Sequence, residues 1–226
     1  MNTKIIMDFL KDLSGNNNRE WFQKNKPVYE KAKKEFEHII NLFIAEAIQI
    51  DPHIHSITAK DCIFRIYRDI RFSKDKTPYK TNFGAYIADG GKKSPFCGFY
   101  IHLSPGSSLV AAGLWQPPGD ILKAVRKEIY DNTEEFLKIL NDPEFKKYFV
   151  EVEGDKLKTA PKGFPKDFEH IDLLKFKSYN IIHSLTDEQI ISDDFYNTTI
   201  TCFRKARPFN DFLNRAVREY LSVRDV

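Results

Sequence analysis

Hydrophobic residues near the start of the chain recur at helical spacing. Apolar side chains stand three or four positions apart in residues 3–13 and again in residues 27–49, which predicts two amphipathic helices. Residues 19–24 are expected to form one further helical turn between them. The longer helix should end before Pro52, because the residue that precedes a proline is disfavoured in helical conformation.

After His53 the pattern changes to a period of two. Residues 64–71 alternate between mostly apolar and mostly charged side chains, which predicts a strand whose charged face lies in solvent, in a cleft or against a partner. Further strands are expected at about 81–88, 96–103 and 108–114. Because short connections join these four segments, they predict an antiparallel sheet.

Helical spacing returns from Pro118 and predicts several short helices. Residues 168–184 are mixed and can contain a strand, and the last helix is expected to start near Pro208. Helices, then strands, then helices are typical of the α+β class. The predicted fold is an antiparallel sheet of about four or more strands, packed by N-terminal and C-terminal helices.

We expect a single domain over residues 1–226. Within it, residues 1–55 should be helical, residues 56–116 rich in strands, and residues 117–226 helical or mixed. A content of 42% hydrophobic and 14% aromatic residues is enough to fill a large core, and it argues against a disordered chain.

The cysteines and the apolar segments limit the class of protein. Cys62, Cys97 and Cys202 lie far apart and fit no metal-binding spacing, so we expect reduced, buried thiols and neither a metal nor a cofactor. The first residues lack the apolar run of a signal peptide, and no stretch approaches the length of a membrane helix. The expected location is the cytoplasm, with no membrane partner.

Positive charge is concentrated between Lys60 and Lys93. This segment holds nine Lys and Arg against four Asp, a net charge of +5, so that the other 192 residues sum to −2 and the whole chain to +3. A local positive potential attracts phosphate or carboxylate groups more strongly than the small net charge would suggest.

Candidate ligand-binding side chains follow the predicted strand and the loop after it. Guanidinium and ammonium groups on alternate positions of a strand, together with polar groups in a loop, suit a ligand with several anionic oxygens. The candidates are Arg65, Arg68, Arg71, Lys74, Lys76, Tyr79 and Lys80.

Two further residues are candidates for proton transfer. Asp69 stands between these arginines, and His102 shares the alternating pattern of a neighbouring strand with Tyr100. All of these charged residues can also have a purely structural role. Basic strand faces are often only solvated, lysines in loops discourage edge-to-edge pairing, and a single histidine is often structural.

The same segment carries a resemblance to a known family. The run FRIYRDIRFSKDKTPYKTNFGAYI, together with AAGLWQPPGDILKAVRKEI, GDKLKTAPKGF and DLLKFKSY, resembles domain of unknown function 2461, an uncharacterised and mainly bacterial family. The resemblance extends from about Phe9 to Leu221 and implies an α+β fold and no activity. One departure is Thr159, where similar sequences often have a basic residue.

The matched positions follow the pattern R-x-x-R-D-x-R-F-S-K-D-K-x-P-Y-K. They are Arg65, Arg68, Asp69, Arg71, Phe72, Ser73, Lys74, Asp75, Lys76, Pro78, Tyr79 and Lys80.

Three functional hypotheses remain, and the sequence leaves open whether the protein is an enzyme. The first is a binding protein for an anionic, phosphate-bearing ligand, either a nucleotide or nucleic acid, because aromatic residues are interleaved with the cations. The second is an enzyme that acts on a small anionic substrate, and the third is a non-catalytic interaction scaffold.

Overall fold

The computed structural model describes residues 1–224 and confirms the α+β class. The helices are α1 (Thr3–Gly15), α2 (Arg19–Lys24), α3 (Lys26–Ile50), α4 (Ala59–Cys62), α5 (Gly119–Asp131), α6 (Thr133–Asn141), α7 (Pro143–Lys146), α8 (Ile171–Leu174), α9 (Asp187–Ile191) and α10 (Phe195–Arg224). A short 3-10 helix covers Gly91–Lys93. Helices α1 to α3 therefore agree with the predicted pattern of the first 50 residues.

Four antiparallel strands form one sheet in the order β1-β2-β3-β4. The strands are β1 (Phe83–Ile87), β2 (Gly98–Leu103), β3 (Ser108–Leu114) and β4 (Tyr179–Leu185). Three of them lie where alternation predicted strands, and β3 has the predicted bounds.

The prediction of a strand at 64–71 was wrong. The segment has no continuous ladder and makes one isolated bridge, Tyr67 with Tyr79, while the residue before it, Ile63, bridges to Ala85. One reason why no ladder forms is that Pro78, in the segment opposite, has no N–H group to donate. Alternation of burial persists without the ladder, since Ile66 is buried while its neighbours Arg65 and Tyr67 are exposed.

The fourth strand of the sheet is β4, which lies almost entirely within residues 168–184, the stretch that was expected to be mixed and able to contain a strand. Its pairing with β3 depends on a glycine. At Gly113, with φ of 114°, an added Cβ would lie 2.0 Å from the carbonyl oxygen of Tyr179. Only glycine permits both this backbone conformation and the close approach of β3 to β4.

The predicted start of the last helix was also wrong. Helix α10 begins at Phe195, and Pro208 lies inside it. An internal proline removes one backbone hydrogen bond and costs about 3 kcal/mol. The fully buried side chains of Phe203, Phe209 and Leu213 lie on this helix, and their burial offsets that cost.

The chain divides into two compact units. The first comprises residues 1–93, 100–110 and 184–201, and its core includes the buried stripe of α3. There Phe36 stacks on Phe83 of β1, with ring centroids 5.3 Å apart. The prediction of one domain over residues 1–226 is not decided by this division and stays a prediction.

The second unit comprises residues 94–99, 111–183 and the described chain from 202 onwards. Within it, Phe203 stacks on Phe99 with centroids 4.3 Å apart. The side-chain amide of Asn214 accepts from the N–H of Cys97 at 2.7 Å and donates to its carbonyl at 3.2 Å. These buried hydrogen bonds satisfy backbone groups that would otherwise be costly to bury.

Candidate functional site

Residues 64–80, which we call the arm, turn back on themselves in the first unit. The N–H of Arg68 donates to the carbonyl of Pro78 at 3.0 Å, and the N–H of Lys80 donates to the carbonyl of Ile66 at 2.8 Å. Residues 69–77 form the loop at the end of the arm. Tyr79, predicted to bind ligand, is only 4% exposed, so its side chain belongs to the base of the arm.

Two of the three predicted arginines are paired with carboxylates inside the arm. Arg68 donates to the side chains of Asp75 and Thr77. Arg71 donates two side-chain hydrogen bonds to Asp69, from Nη2 to Oδ2 at 2.6 Å and from Nε to Oδ1 at 3.0 Å. Their charges are therefore partly offset, although the exposure of the Arg71–Asp69 pair means that it contributes little to stability.

The two loop carboxylates are held in the ionised state. The backbone N–H of Thr77 and the Arg68 guanidinium lower the pKa of Asp75 to about 2. Hydrogen bonds from the side chain and the N–H of Arg71 lower the pKa of Asp69. Asp69 is thus a carboxylate that already accepts hydrogen bonds, which makes it a weak base for proton transfer.

The remaining predicted cations of the arm have no carboxylate within ion-pair distance in residues 1–224. They are Arg65, Lys74, Lys76 and Lys80. Lys76 donates to the backbone carbonyl of Ile70 at 3.0 Å, so its ammonium group helps to close the loop. Arg65 and Lys74 are exposed, whereas Lys80 is half-buried.

In residues 1–224, the ammonium group of Lys80 lies over the aromatic ring of Phe64 and not beside a hydrogen-bond acceptor. Its Nζ is 5.7 Å from the ring centroid of Phe64, which in turn lies 6.2 Å from the ring of Tyr100. Burial lowers the pKa of Lys80, and the positive charge of Arg65 lowers it further. A half-buried ammonium beside a second cation is a locally unfavourable arrangement of charge.

His102 belongs to the same neighbourhood. Its Nδ1 lies 3.0 Å from the hydroxyl of Tyr100 and 3.4 Å from Nδ2 of Asn82. Because an amide nitrogen only donates, these contacts suit an Nδ1 that accepts and an Nε2 that carries the hydrogen. Burial lowers the pKa of His102, and the charge of Lys80 lowers it further, so the ring is mainly neutral near pH 7.

The structure thus divides the predicted site. The charge of Arg65 lowers the pKa of Lys80, and the charge of Lys80 lowers the pKa of His102; we call these three residues the Lys80 cluster. The charge of Arg65 also lowers the pKa of Asp69. Asp69 and Arg71 are bound to each other in the loop. The two residues predicted to transfer protons therefore have different partners.

A concavity beside the arm involves residues that the sequence did not single out. Its volume is about 350 Å³, and its lining consists of Arg19, Gln23, Tyr67, Arg68, Ile70, Pro78 and Tyr79. Arg19 and Gln23 come from α2, which the sequence predicted only as a helical turn. Phe22 of this helix packs against Tyr67 and Tyr79, and no pattern in the sequence indicated that contact.

Comparison with known proteins gives a match to the conserved hypothetical protein family DUF2461, over residues 5–212. The chain belongs to this family. No curated protein and no solved structure is significantly similar to it. The family description carries no activity, so the function of this DUF2461 member has to be argued from its own residues.

Two further properties of this DUF2461 protein bear on its function. No helix within residues 1–224 is long and apolar enough to cross a membrane, and in the same residues no cluster of three or more potential metal ligands occurs. Cys62, Cys97 and Cys202 are free and buried, as predicted, and burial raises the pKa of each thiol.

Proposed function

We propose that this DUF2461 protein binds a phosphate-bearing ligand through the arm, with the Lys80 cluster at the centre of the site. The observation that carries the proposal is that Lys80 is half-buried beside Arg65 and His102, and that neither cation has a carboxylate within ion-pair distance in residues 1–224. Asp69 acts on Arg65 only at longer range. Elsewhere in the arm, Arg68 and Arg71 show that nearby carboxylates do pair with the guanidinium groups. Among the arm cations without a carboxylate in residues 1–224, Lys80 differs in being half-buried, whereas Arg65, Lys74 and Lys76 are exposed.

An anion would relieve the unfavourable arrangement of charge in the cluster. Nζ of Lys80 has no hydrogen-bond acceptor among the described residues, although the side chain is half-buried. A phosphate oxygen would supply that acceptor and would at the same time offset the repulsion between Lys80 and Arg65. Arg65 is exposed and can bind a second oxygen with its planar fork of donors.

The binding hypothesis fits these contacts better than the enzyme hypothesis does. Asp69 is a poor base for proton transfer, because the hydrogen bonds from Arg71 lower its pKa. Within the arm, the scaffold hypothesis draws support from Phe72, which is 97% exposed at the loop. We also propose the cytoplasm as the location, because three free thiols are typical of a reducing compartment.

Isothermal titration calorimetry with inorganic phosphate tests the proposal. Phosphate should bind to the wild-type protein, and Lys80→Met should weaken binding roughly tenfold, since a charge-assisted hydrogen bond contributes about 1.5–3 kcal/mol. Arg65→Met should have a smaller effect in the same direction, because Arg65 is exposed.

A matched control is Lys93→Met, which removes an exposed lysine from the short 3-10 helix and should leave the affinity unchanged. Equal loss of affinity in Lys80→Met and Lys93→Met would mean that phosphate responds only to overall charge. That result, or the absence of any phosphate binding at low salt, would overturn the proposal.

A further inference from the structure

The concavity beside the arm has an aromatic floor that faces solvent. Tyr67 is 48% exposed, and it is one of the residues that line the concavity. The ring of Tyr67 lies 5.5 Å from the ring of Tyr79, at an interplanar angle of 58°, and 5.9 Å from that of Phe22, at 61°. An exposed ring supported by two buried rings is a fixed platform on which a planar group can stack.

The platform is held in place from below. Tyr79 and Phe22 stack with centroids 3.9 Å apart and an interplanar angle of 12°. The amide of Asn17 bonds to both the N–H and the carbonyl of Tyr79. Tyr67 itself pairs with Tyr79 through an isolated bridge. A ligand that stacks on Tyr67 would therefore meet a surface that needs little ordering on binding.

Polar groups with spare hydrogen-bonding capacity surround this platform. Arg19 and Gln23 are four positions apart on α2, so their side chains lie on one face of the helix. Within residues 1–224 neither side chain has a hydrogen-bond or ion-pair partner. On the other side Arg68 is fixed by its contacts with Asp75 and Thr77.

These groups match the parts of a nucleotide. The guanidinium of Arg19 can bind phosphate oxygens bidentately. Arg68 lines the same concavity, and its charge, partly offset by Asp75, adds a smaller attraction. The amide of Gln23 offers both donors and an acceptor, as the edge of a base requires. A volume of about 350 Å³ lies within the range of small-molecule sites, at its lower end.

We propose that the concavity binds a nucleotide unit, with the base stacked on Tyr67 and the phosphate held by Arg19 and Arg68. The unit can belong to a free nucleotide or to single-stranded nucleic acid, since both present the same base and phosphate. None of Arg65, Lys80 and His102 lines the concavity, so the inference goes beyond the proposed function and describes a second site for a phosphate-bearing ligand. Arg19 and Gln23 of α2 belong to this second site.

Calorimetry with three probes separates the base from the phosphate. The probes are inorganic phosphate, adenosine and adenosine monophosphate, and the nucleotide should bind more tightly than either of its parts. Arg19→Gln and Tyr67→Leu should each weaken binding of the nucleotide roughly tenfold. Tyr67→Leu keeps an apolar side chain over Phe22 and Tyr79, and circular dichroism checks that the variant is folded.

Two further variants provide a control for charge and a second test of the site. Lys26→Gln removes an exposed lysine just after α2 and should leave nucleotide binding unchanged. Gln23→Ala, an exposed position, should weaken it a few-fold even if Tyr67→Leu fails to fold. A six-nucleotide single-stranded oligonucleotide completes the series. Tighter binding than the mononucleotide, with the same dependence on Arg19, identifies nucleic acid, and equal binding identifies the free nucleotide.

The outcomes distinguish the inference from the proposed function. The inference is overturned if the nucleotide binds no more tightly than phosphate and if Arg19→Gln and Tyr67→Leu leave its binding unchanged. The proposed function still stands in that case, provided that phosphate binding depends on Lys80. If neither phosphate nor the nucleotide binds, both are overturned.

Discussion

The side-chain amide of Asn17 hydrogen-bonds to both backbone groups of Tyr79, donating to its carbonyl at 2.9 Å and accepting from its N–H at 3.2 Å. Sixty-two residues separate the two positions along the chain. The contact imitates a strand pair and anchors the base of the arm beside α2. It connects the loop before α2 to the residues that carry the candidate site.

Replacement of Asn17 by alanine should therefore destabilise the protein. Two backbone groups of Tyr79 lose their partner, and we expect a loss of about 2 kcal/mol in the free energy of unfolding. Urea denaturation measures it. Asn16→Ala is the matched control, since the side chain of Asn16 donates to the carbonyl of Asp12 on the surface, and the substitution should change stability by less than about 0.5 kcal/mol. Equal effects of the two substitutions would contradict the anchoring role.

Gly84 of β1 has no room for a side chain. A Cβ at this position would lie 2.7 Å from the hydroxyl oxygen of Tyr100 and 3.3 Å from its ring. Gly84→Ala should cost about 1–3 kcal/mol in the free energy of unfolding, because Tyr100 must move and its contact with His102 is lost.

A double-mutant cycle identifies the cause of that loss. Tyr100→Phe removes the hydroxyl group, so Gly84→Ala should be less harmful in the Tyr100→Phe background than in the wild type. Gly119→Ala is a control, since nothing lies within 4 Å of its added Cβ. Strictly additive effects of the two substitutions would show that the hydroxyl is not what excludes the side chain.

The pKa of His102 should respond to Lys80. The charge of Lys80 is the second cause, after burial, of the lowered pKa of this imidazole. Lys80→Met should therefore raise the pKa of His102, as measured by a histidine NMR titration, whereas Lys93→Met should leave it unchanged. Added phosphate should raise it in the wild type and less in Lys80→Met. An unchanged His102 pKa in Lys80→Met would contradict the electrostatic grouping of the Lys80 cluster.

Stability should also fall with decreasing pH because of His102. Its pKa in the folded protein is below the ordinary value of 6.5, so the unfolded state binds a proton more readily. The loss of stability therefore begins as the pH falls through about 6.5 and continues to the folded pKa, and above this window His102 contributes no pH dependence.

Urea midpoints at pH 7.5 and pH 5.5 test this for the wild type and for His102→Gln. The wild type should lose more stability between the two pH values than His102→Gln does, since the other titrating groups are common to both. An identical loss in the two proteins would show that the pKa of His102 is not lowered by folding.

Much of the candidate site could be predicted from the sequence, and the missing parts have identifiable causes. Arg65, Lys80 and His102 were found because charge and alternation are properties of the chain itself. That Arg68 and Arg71 bind Asp75 and Asp69 could not be predicted, because it depends on how residues 69–77 turn back on themselves. Arg19 and Gln23 were missed because their approach to Tyr67 requires the packing of α2 against the arm.

The sequence by itself determined the family, the α+β class and the positions of α1 to α3 and of three strands. Periodicity is enough for these features because it records which side of an element is buried. Tertiary structure alone decided that β4 completes the sheet and that residues 64–71 do not join it. Strand pairing depends on partners far apart in the chain, and a local pattern shows which side is buried but not which strand lies beside it.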